Sequence, residues 1–562
     1  MGDDRHPAPG RACRRQRLLA VAAGGLAGLA LPPLGFPPLI WIGLAALWAL
    51  AGDPPAAGAP VGRRWCGLLW GGAAVLVSHR WLLWLHPLDW IGVPGPLSLP
   101  LCLALWGACG LAGGLLVEGW LALVRRGNAA QPATAVAAAC LWGLAEVLLA
   151  RGPLFWIGLG SSALPGDPAL AGVAALGGAG LVAALQVLVG WCLWRLLRCS
   201  GSRRGWLALT GLVVLGSHLL GLAALAGVTA ELNRELDREL AGSPTGTALV
   251  LAASGPALGS PPLSQSPAAA APAAAGPPAS AERLLVLQPA IPTRRKFEAA
   301  QQRRLLEQLA LAQRRSAPEA PGRPVQSLLL PEGALALGQP LPEVAAVEVL
   351  SGGFRQQGAG LHSSLLRFAV GGRDPVGWVD KHRLVPFGEW VPFADLLSWS
   401  GLSAVGGLQP GQPNRLLSRP AGPIGVAICY EIADGTALAR ASREGAGWLL
   451  ASANLDPYPP LLQAQFLALA RLRAIESGRW LVSTANTGPS VLVDAAGRLR
   501  DRLPAGRNGS AVFSLRPRSQ LTPYDRWGEA PLLMALAIAL VLILRGLPGR
   551  HPDPASQDEL FR

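Results

Sequence analysis

The sequence predicts a polytopic α-helical membrane protein of about eight spans with an inserted extracytoplasmic α/β domain. Three observations support this fold class. Hydrophobic residues make up 51% of the 562 residues and charged residues only 15%, whereas an ordinary soluble protein has roughly 25% charged residues. Apolar runs fill the region before residue 230, and one more lies near the C-terminus. Between them, short apolar strands alternate with amphipathic helices, a pattern typical of α/β domains.

Most of the apolar runs approach the roughly 20 residues that a helix needs to cross the bilayer core. The first two are short and joined by a proline-rich turn, so they also fit a tight hairpin. The N-terminal run resembles a signal peptide, but it has no small-x-small cleavage site, and we interpret it as a retained anchor. The predicted spans are residues 17–31, 36–52, 65–86, 97–124, 133–150, 170–198, 206–228 and 530–546.

The arginines predict the orientation of these spans. With a cytoplasmic N-terminus, every arginine pair between spans falls on the cytoplasmic side, and the short outer connections carry only Arg151. An error of one span would place arginine pairs on the outer side. This topology puts residues 230–528 outside the cytoplasm and accounts for the net charge of +14. We therefore expect no nucleic-acid partner, since no nucleic-acid-binding motif is present either.

Composition divides the chain further. A charged, helix-like stalk precedes a segment rich in Ala, Pro, Gly and Ser, which we interpret as a flexible insertion. The predicted parts are a membrane domain of about seven helices (1–229), stalk and insertion (230–281), the α/β domain (282–527), the last membrane helix (528–548) and a cytoplasmic tail (549–562).

Within the α/β domain the pattern predicts strands at 283–288, 326–331, 361–370, 375–380, 423–429, 447–452, 480–485 and 489–494, and helices at 294–314, 341–350, 434–444 and 460–478. Several polar residues follow these strands directly, and they are the candidates for chemistry.

Cys429 is the only cysteine of the α/β domain, because the other seven lie before residue 200. It has no disulfide partner in that domain, so it is either an inert buried residue or a working thiol. Burial statistics favour the first interpretation. Its position directly after the strand PIGVAI and beside Glu431 favours the second.

Lys381 is a candidate because lysine is rare in this chain: only two of the 48 cationic residues are lysines. A surface ion pair accepts arginine equally well, whereas a role that needs a compact ammonium beside an oxyanion does not. The alternative is that the lysine at this position was retained by chance.

Glu332 follows the buried run QSLLL and Pro331, where a carboxylate is costly unless it is paired or used. It is either a general base or a plain ion-pair partner of Lys381.

These segments resemble the nitrilase superfamily and, within it, the apolipoprotein N-acyltransferase family. The resemblance covers nearly the whole chain apart from 241–281. It is carried by segments that occur in the family's order on the predicted topology: Pro331-Glu332, Lys381 with the following LVPFGE, Cys429-Tyr430-Glu431 and Thr522-Pro523-Tyr524. The His362-Ser363-Ser364-Leu365 segment, residues 470–476 and the stretch from Trp142 through Glu146 to Arg151 also match.

The resemblance implies a nitrilase-like αββα sandwich in which Glu332 is the general base, Lys381 the oxyanion stabiliser and Cys429 the nucleophile. Glu389 is then an accessory acid, with Tyr430 and Glu431 shaping the pocket. It also implies a bacterial inner-membrane enzyme with a periplasmic catalytic domain, acting as a monomer without cofactor or metal. A phospholipid is the acyl donor and a diacylglyceryl-cysteine lipoprotein the acceptor, with transfer through a cysteine thioester.

Two segments depart from the family pattern at expected substrate contacts and leave the triad intact. Phe297, after Gln288-Pro289-Ala290-Ile291-Pro292, replaces an expected Trp, and residues 454–458 read NLDPY. Phe387, Trp390 and Phe393 follow Lys381 closely and form either a lid that dips into the bilayer or ordinary core packing. Glu146 and Arg151 form either a structural ion pair, the interpretation we favour, or a lipid head-group contact.

Three other classes of function remain open from the sequence. A membrane-tethered nitrilase-type amidase would share the triad but would need neither eight spans nor a lipid-accessible loop. A degenerate binding scaffold is disfavoured by the intact Glu332, Lys381 and Cys429. A transporter is ranked last, because the spans show no inverted repeat and few charges.

Overall fold

The computed structural model separates the chain into a helical part and a β-rich domain. The residues that it describes are 9–52, 65–88, 93–199, 203–241, 281–295, 298–316, 324–386, 388–390, 407–456 and 458–546. The predicted flexible insertion and the cytoplasmic tail lie outside these residues, as do Phe297, Phe387 and Phe393.

Each predicted apolar segment is helical. The helices of this part are α1 (Pro9–Ala30), α2 (Pro37–Gly52), α3 (Cys66–Ser78), α4 (Gly95–Arg126), α5 (Pro132–Ala150), the one-turn α6 (Pro168–Ala171), α7 (Ala174–Arg198), α8 (Arg203–Ala241) and, after the β-rich domain, α13 (Ala530–Gly546). The predicted stalk is the continuous C-terminal end of α8.

Four of these helices, α4, α5, α7 and α8, are long and apolar enough to cross a membrane, and α2, α3 and α13 are shorter apolar helices. The bundle has a core rich in tryptophan: the rings of Trp48 and Trp120 meet edge to face with centroids 5.1 Å apart. Many large apolar side chains outside this core remain exposed, Leu207, Leu212 and Leu215 of α8 among them. Such a surface is unfavourable in water and fits a lipid environment.

The β-rich domain contains two six-stranded sheets, ordered β12-β1-β2-β3-β4-β5 and β11-β10-β9-β8-β7-β6. The strands are β1 (Glu282–Gln288), β2 (Ser327–Leu330), β3 (Glu348–Gln357), β4 (Gly360–Phe368), β5 (Pro375–Asp380), β6 (Leu416–Leu417), β7 (Ile424–Ile428), β8 (Leu449–Ala453), β9 (Leu481–Ala485), β10 (Ser490–Val493), β11 (Leu499–Leu503) and β12 (Gly509–Leu515).

The two sheets pack face to face, with helices on their outer faces. The alternation along β1 shows why: Leu284 and Val286 enter the core between the sheets, whereas Leu285 and Leu287 pack outward with Leu309 of α9. On the opposite side, α11 covers the second sheet through Phe466 and its neighbours. The remaining helices are α9 (Ala299–Ser316), α10 (Gly435–Arg443), α11 (Pro460–Ser477) and α12 (Pro523–Trp527). The predicted helix–sheet–sheet–helix layering is confirmed.

The helix predicted at 341–350 is wrong. Residues 348–357 form β3, which pairs in parallel with β2 and antiparallel with β4. Val349 and Leu350 are both fully buried, one in each core layer. A strand buried on both faces lacks the alternation of apolar and polar residues that marks a half-exposed strand. Its short apolar run therefore cannot be distinguished from a buried helix by sequence pattern.

Candidate active site

The three reactive side chains predicted from sequence meet where their strands end. Glu332 follows β2 and Lys381 follows β5 in the first sheet, whereas Cys429 follows β7 in the second. Lys381 Nζ lies 2.8 Å from Glu332 Oε1 and interacts electrostatically with Cys429. The face-to-face packing of the sheets therefore brings an acid, a cation and a thiol together from distant parts of the chain.

Lys381 is held rigidly at its strand end. Its backbone N–H donates to Ser363 O at 2.7 Å, and the preceding Asp380 accepts hydrogen bonds from Ser364 and Arg355. Its side chain is only 1% exposed and donates to both Glu332 and Glu389. Burial alone would lower the pKa of Lys381, but the two carboxylates outweigh it and raise that pKa well above its ordinary value. The ammonium therefore stays charged.

Cys429 occupies a strained position at the sharp turn after β7. Its φ of 55° lies in the left-handed region, which a non-glycine residue adopts at a cost and which is enriched at active sites. It opens the 3-10 turn Cys429–Ala433. Burial, and after it the charge of Glu332, raises the pKa of the Cys429 thiol, although Lys381 opposes this. The thiol is therefore neutral at rest and needs a base when it reacts.

Glu332 is oriented by three contacts. Oε1 accepts from Lys381 Nζ, and Oε2 accepts from the backbone N–H of Asn454 at 3.1 Å. Gly352 of β3 lets the backbone approach closely, since a Cβ there would lie 2.4 Å from Glu332 Cα. The ion pair with Lys381 is thus real, and it lies beside the thiol. In this geometry Glu332 can be the ion-pair partner of Lys381 and a reactive carboxylate at the same time.

Glu389 joins the same group through a tight turn. Its Oε1 lies 2.7 Å from Lys381 Nζ, and its Oε2 accepts from Val385 N at 2.8 Å. Burial, and to a lesser degree Glu332, raises the pKa of Glu389, although Lys381 opposes this. Trp390, which follows it, is 37% exposed. That exposure disfavours core packing for Trp390.

Tyr430 and Glu431 support the turn that carries Cys429. The Tyr430 hydroxyl donates to Leu384 O at 2.8 Å, and its ring lies 5.0 Å from the guanidinium carbon of Arg383. Glu431 accepts from the backbone N–H groups of His382 and Ile428, so one carboxylate joins the segment after Lys381 to the strand before Cys429.

Arg415 completes this connection and was not predicted from sequence. It is buried, and its Nη1 lies 2.9 and 2.8 Å from the two oxygens of Glu431. Its Nη2 donates to Asp380 O, the residue before Lys381. A bidentate pair of this kind fixes both distance and angle. Arg415 and Glu431 therefore set the position of Lys381 relative to Cys429.

Replacing Arg415 with methionine is expected to lower the free energy of unfolding by about 3–5 kcal/mol, because Glu431 is left as an unpaired buried charge. Combining it with Glu431→Gln should restore part of that loss. Thermal unfolding in detergent measures both. Arg440→Met is the matched control, since its pair with Glu444 is exposed and worth about 0.3–0.5 kcal/mol. Equal losses in the Arg415 and Arg440 variants would contradict the role assigned to Arg415.

A cavity of about 130 Å³ opens beside Cys429, between the β-rich domain and the helical part. We call it the substrate cavity. Its walls are largely apolar. The domain contributes Tyr430, Leu455, Tyr458, Leu462 and Phe466, and the helical part contributes His79, Trp81, Leu82, Leu85, Leu105, Cys109 and residues 153–155. Such a cavity fits an apolar ligand whose reacting group lies at the thiol.

The two segments that depart from the family pattern contact each other beside this cavity. Thr293 N donates to Asp456 Oδ2 at 2.6 Å, and Asn454 Nδ2 donates to Thr293 Oγ1 at 2.8 Å. Leu455 has a φ of 54° and is buried in the cavity wall, and Tyr458 packs edge to face on Trp81. Leu455 and Tyr458 therefore form part of the wall of the substrate cavity, and Thr293 of the other segment is hydrogen-bonded to that part of the chain.

The ion pair expected between Glu146 and Arg151 is wrong. Glu146 accepts instead from Trp142 Nε1 and from the backbone N–H groups of Leu159 and Gly160, whereas Arg151 pairs with Glu529 at 3.0 Å. Glu146 lies one turn before the end of α5 and is buried, whereas Arg151 caps that end and is exposed. Glu146 therefore binds groups within the helical part, whereas Arg151 binds Glu529.

The domain is fixed to the ends of several helices. Arg383 donates to Ala150 O, the last carbonyl of α5, and to Gly152 O just beyond it, and Arg151 donates to Thr436 at 2.5 Å. Gln465 donates to Ser78 O at the end of α3. Ala179 N, beside the Gly177–Gly178 kink of α7, donates to Glu476. The substrate cavity is therefore formed by two parts of the chain that are joined rigidly.

Sequence reasoning thus identified Glu332, Lys381, Glu389, Cys429, Tyr430 and Glu431, which lie together. It missed Arg415, whose segment has no motif. It singled out residues 454–458 as substrate contacts but not the hydrogen bond from the backbone N–H of Asn454 to Glu332. Among the described residues, no group of three or more His, Cys, Asp or Glu side chains is arranged to hold a metal ion.

Comparisons with known proteins agree with this division of the chain. Residues 23–192 match the family model of the apolipoprotein N-acyltransferase N-terminal domain, and residues 341–515 match that of carbon-nitrogen hydrolase. Three cyanobacterial relatives are curated as apolipoprotein N-acyltransferases. Those from two strains of Prochlorococcus marinus are 39% and 43% identical, over 94% and 96% of this chain and 97% of each relative. That from Parasynechococcus marenigrum is 42% identical, over 91% of this chain and 97% of the relative.

Proposed function

The chain belongs to the apolipoprotein N-acyltransferase family, and from this premise we propose how its site carries out lipoprotein N-acylation. It is an acyltransferase that moves a fatty acyl chain from a phospholipid to the N-terminal amine of a diacylglyceryl-cysteine, with Cys429 as the carrier. One observation carries the assignment of residues: a thiol, a carboxylate and an ammonium meet at the end of an apolar cavity walled by membrane helices.

In the first step, the Cys429 sulfur attacks an ester carbonyl of the phospholipid while Glu332 accepts the thiol proton. Lys381 stabilises the negative charge that develops on the carbonyl oxygen. As the intermediate collapses, the proton passes to the leaving alcohol, and a lysophospholipid departs. The result is an acyl-thioester on Cys429. The raised pKa of the thiol is the reason that an adjacent base is needed.

In the second step, the α-amine of the diacylglyceryl-cysteine attacks the thioester carbonyl. Glu332 accepts a proton from the amine and returns one to the Cys429 sulfur, so the free thiol is regenerated and an amide is formed. Lys381 again holds the oxyanion. Glu389 keeps Lys381 aligned and, through its turn, connects it to the exposed Trp390.

The proposed topology has about eight spans in a bacterial inner membrane, with the catalytic domain in the periplasm. The domain contacts the C-terminal ends of α3 and α5, the N-terminal end of α7 and the C-terminal end of α8, where Arg518 pairs with Glu231. Arg125 and Arg126 end α4, and Arg195 and Arg198 end α7. These basic ends of α4 and α7 lie on the side of the bundle opposite the catalytic domain, which supports the positive-inside orientation.

The proposal keeps the predicted domain boundaries, with residues 1–229 and 528–548 in the membrane and residues 282–527 as the catalytic domain. The proposal also keeps the monomer as the active form.

Purified protein in vesicles, given acyl-labelled phospholipid and a diacylglyceryl-cysteine peptide, tests this function. Label should enter the peptide as a hydroxylamine-resistant amide, with an equal amount of lysophospholipid. The same peptide with its amine acetylated is the matched control and should stay unlabelled. Labelled free fatty acid with an unlabelled peptide would instead support an amidase-like hydrolase, in which water resolves the acyl-enzyme.

Trp390 provides a separate test of the proposed lid. Trp390→Ala is expected to lower the rate of thioester formation from vesicle phospholipid severalfold while changing the free energy of unfolding by no more than about 0.5 kcal/mol, as for other exposed residues. Thioester labelling and thermal unfolding measure the two effects. Trp527→Ala, an exposed tryptophan outside the substrate cavity, should change neither. Parallel losses of stability and rate would favour core packing.

A further inference from the structure

A second cavity of about 130 Å³ lies inside the helical bundle, which we call the bundle cavity. Helices α1, α3, α4 and α5 and residues 156–159 surround it. Small residues form much of its wall on α1, α3 and α4, and tryptophan rings close its sides. Its lining includes Gly28, Gly71, Ala74, Gly113, Trp70 and Trp120.

The bundle cavity is largely apolar, because most of the polar atoms around it are occupied by protein contacts; among its buried side-chain atoms, Trp156 Nε1 has no hydrogen-bond partner. Trp70 Nε1 donates to Gly43 O at 3.1 Å and Trp120 Nε1 to Ala138 O at 2.9 Å. The carboxylate of Glu146 accepts from an indole and two backbone N–H groups. An apolar cavity of this kind does not bind water, and it gains dispersion contacts when an apolar ligand fills it.

His79 joins the bundle cavity to the substrate cavity, because its buried side chain lines both. Its ring lies between those of Trp81, in the wall of the substrate cavity, and Trp156, in the wall of the bundle cavity, with centroids 6.3 and 5.8 Å away. Its Nδ1 is fixed by Ser78 Oγ at 2.9 Å. One buried aromatic side chain, His79, therefore separates the substrate cavity beside Cys429 from the bundle cavity.

We propose that the bundle cavity is a binding site for the distal part of the fatty acyl chain carried on Cys429, and that the chain enters it past His79. This inference rests on the proposed function, since it assigns the far end of the same acyl chain. Leu116 and Ala145, on α4 and α5, line the bundle cavity and are exposed, so the end of a long chain can reach the surrounding hydrocarbon. The bundle cavity then contributes to the selection of long chains over short ones.

Filling the bundle cavity tests the proposal. Ala74→Leu, from α3, is expected to lower the rate of thioester formation from an 18-carbon donor roughly tenfold, the effect of losing two methylene contacts, and to leave a 12-carbon donor nearly unchanged. Ala145→Leu provides a second filling variant on α5. Ala108→Leu, an equal change at an exposed site of α4 outside both cavities, should keep the wild-type ratio between the two donors.

The outcomes separate the two proposals. Wild-type protein that forms no thioester with any donor would contradict the proposed function. An unchanged donor ratio in both folded filling variants, or an equal loss with 12- and 18-carbon donors, would overturn the assignment of the bundle cavity.

A second experiment starts from a preformed thioester and varies the chains of the diacylglyceryl acceptor. A loss confined to long-chain acceptors would place an acceptor chain there and would equally overturn it.

Discussion

Cys429→Ala is expected to abolish acyl-enzyme formation, with no covalent label detected when membranes are incubated with acyl-labelled phospholipid. In the wild type the label should be released by hydroxylamine, as a thioester is. The reason is positional: Cys429 is the only thiol on the turn that ends β7, beside Glu332 and Lys381, and alanine offers no nucleophile there. Because the side chain is only partly buried and alanine is smaller, folding should be nearly unaffected.

The chain offers a matched control for this experiment. Cys109 of α4 lines the same substrate cavity, so it meets the same lipid but is not flanked by the acid and the cation. Cys109→Ala should retain the hydroxylamine-labile label. A label that survives in Cys429→Ala, or disappears in Cys109→Ala, would remove Cys429 from the role of nucleophile.

Lys381→Met is expected to lower the rate of thioester formation by about 10²–10³, the usual effect of removing one oxyanion donor. Lys381→Arg should also be slow. The ammonium is 1% exposed and fits between two carboxylate oxygens at 2.8 and 2.7 Å, where a planar guanidinium is too large. Single-turnover labelling with saturating phospholipid measures the rate directly. A wild-type rate in Lys381→Arg would contradict the proposed point-charge role.

Loss of stability is a competing explanation for any Lys381 variant, and Arg419 controls for it. Arg419 is a fully buried cation between Glu282 and Glu348, and it lies away from the substrate cavity. Arg419→Met should lower the free energy of unfolding by about 3–5 kcal/mol but leave the rate per folded molecule unchanged. The contrast between the two variants separates chemistry from packing.

The sequence predicts which residues lie together where a rare residue stands directly after a buried strand. Lys381 and Cys429 were conspicuous because the rest of the chain avoids lysine and the domain avoids cysteine. Arg415 had no such signal, since it is one arginine among many and its partner Glu431 is sixteen residues away. Only the folded sheets bring its guanidinium to the carboxylate.

The same reasoning explains the errors in the fold. The segment LRDRL forms β11, an exposed edge strand. It was not predicted because its charged residues leave no apolar run in the sequence. Residues 348–357 form β3, which is buried on both faces at its start. Glu146 and Arg151 are five residues apart, a spacing that suggested a pair, but the end of α5 intervenes and each side chain finds a partner in another segment.

The contact between Arg151 and Glu529 has a consequence for biogenesis. Glu529 directly precedes α13, the last helix to be synthesised, and Leu532 of that helix is buried in the core of the bundle. Thr436 of the catalytic domain shares the same carboxylate. The ribosome thus completes helices α1–α8 and the whole catalytic domain before this contact can form. Until α13 is in place, the catalytic domain is held to the bundle only by its contacts with α3, α5, α7 and α8, and the contact of Arg151 and Thr436 with Glu529 is the last to be added.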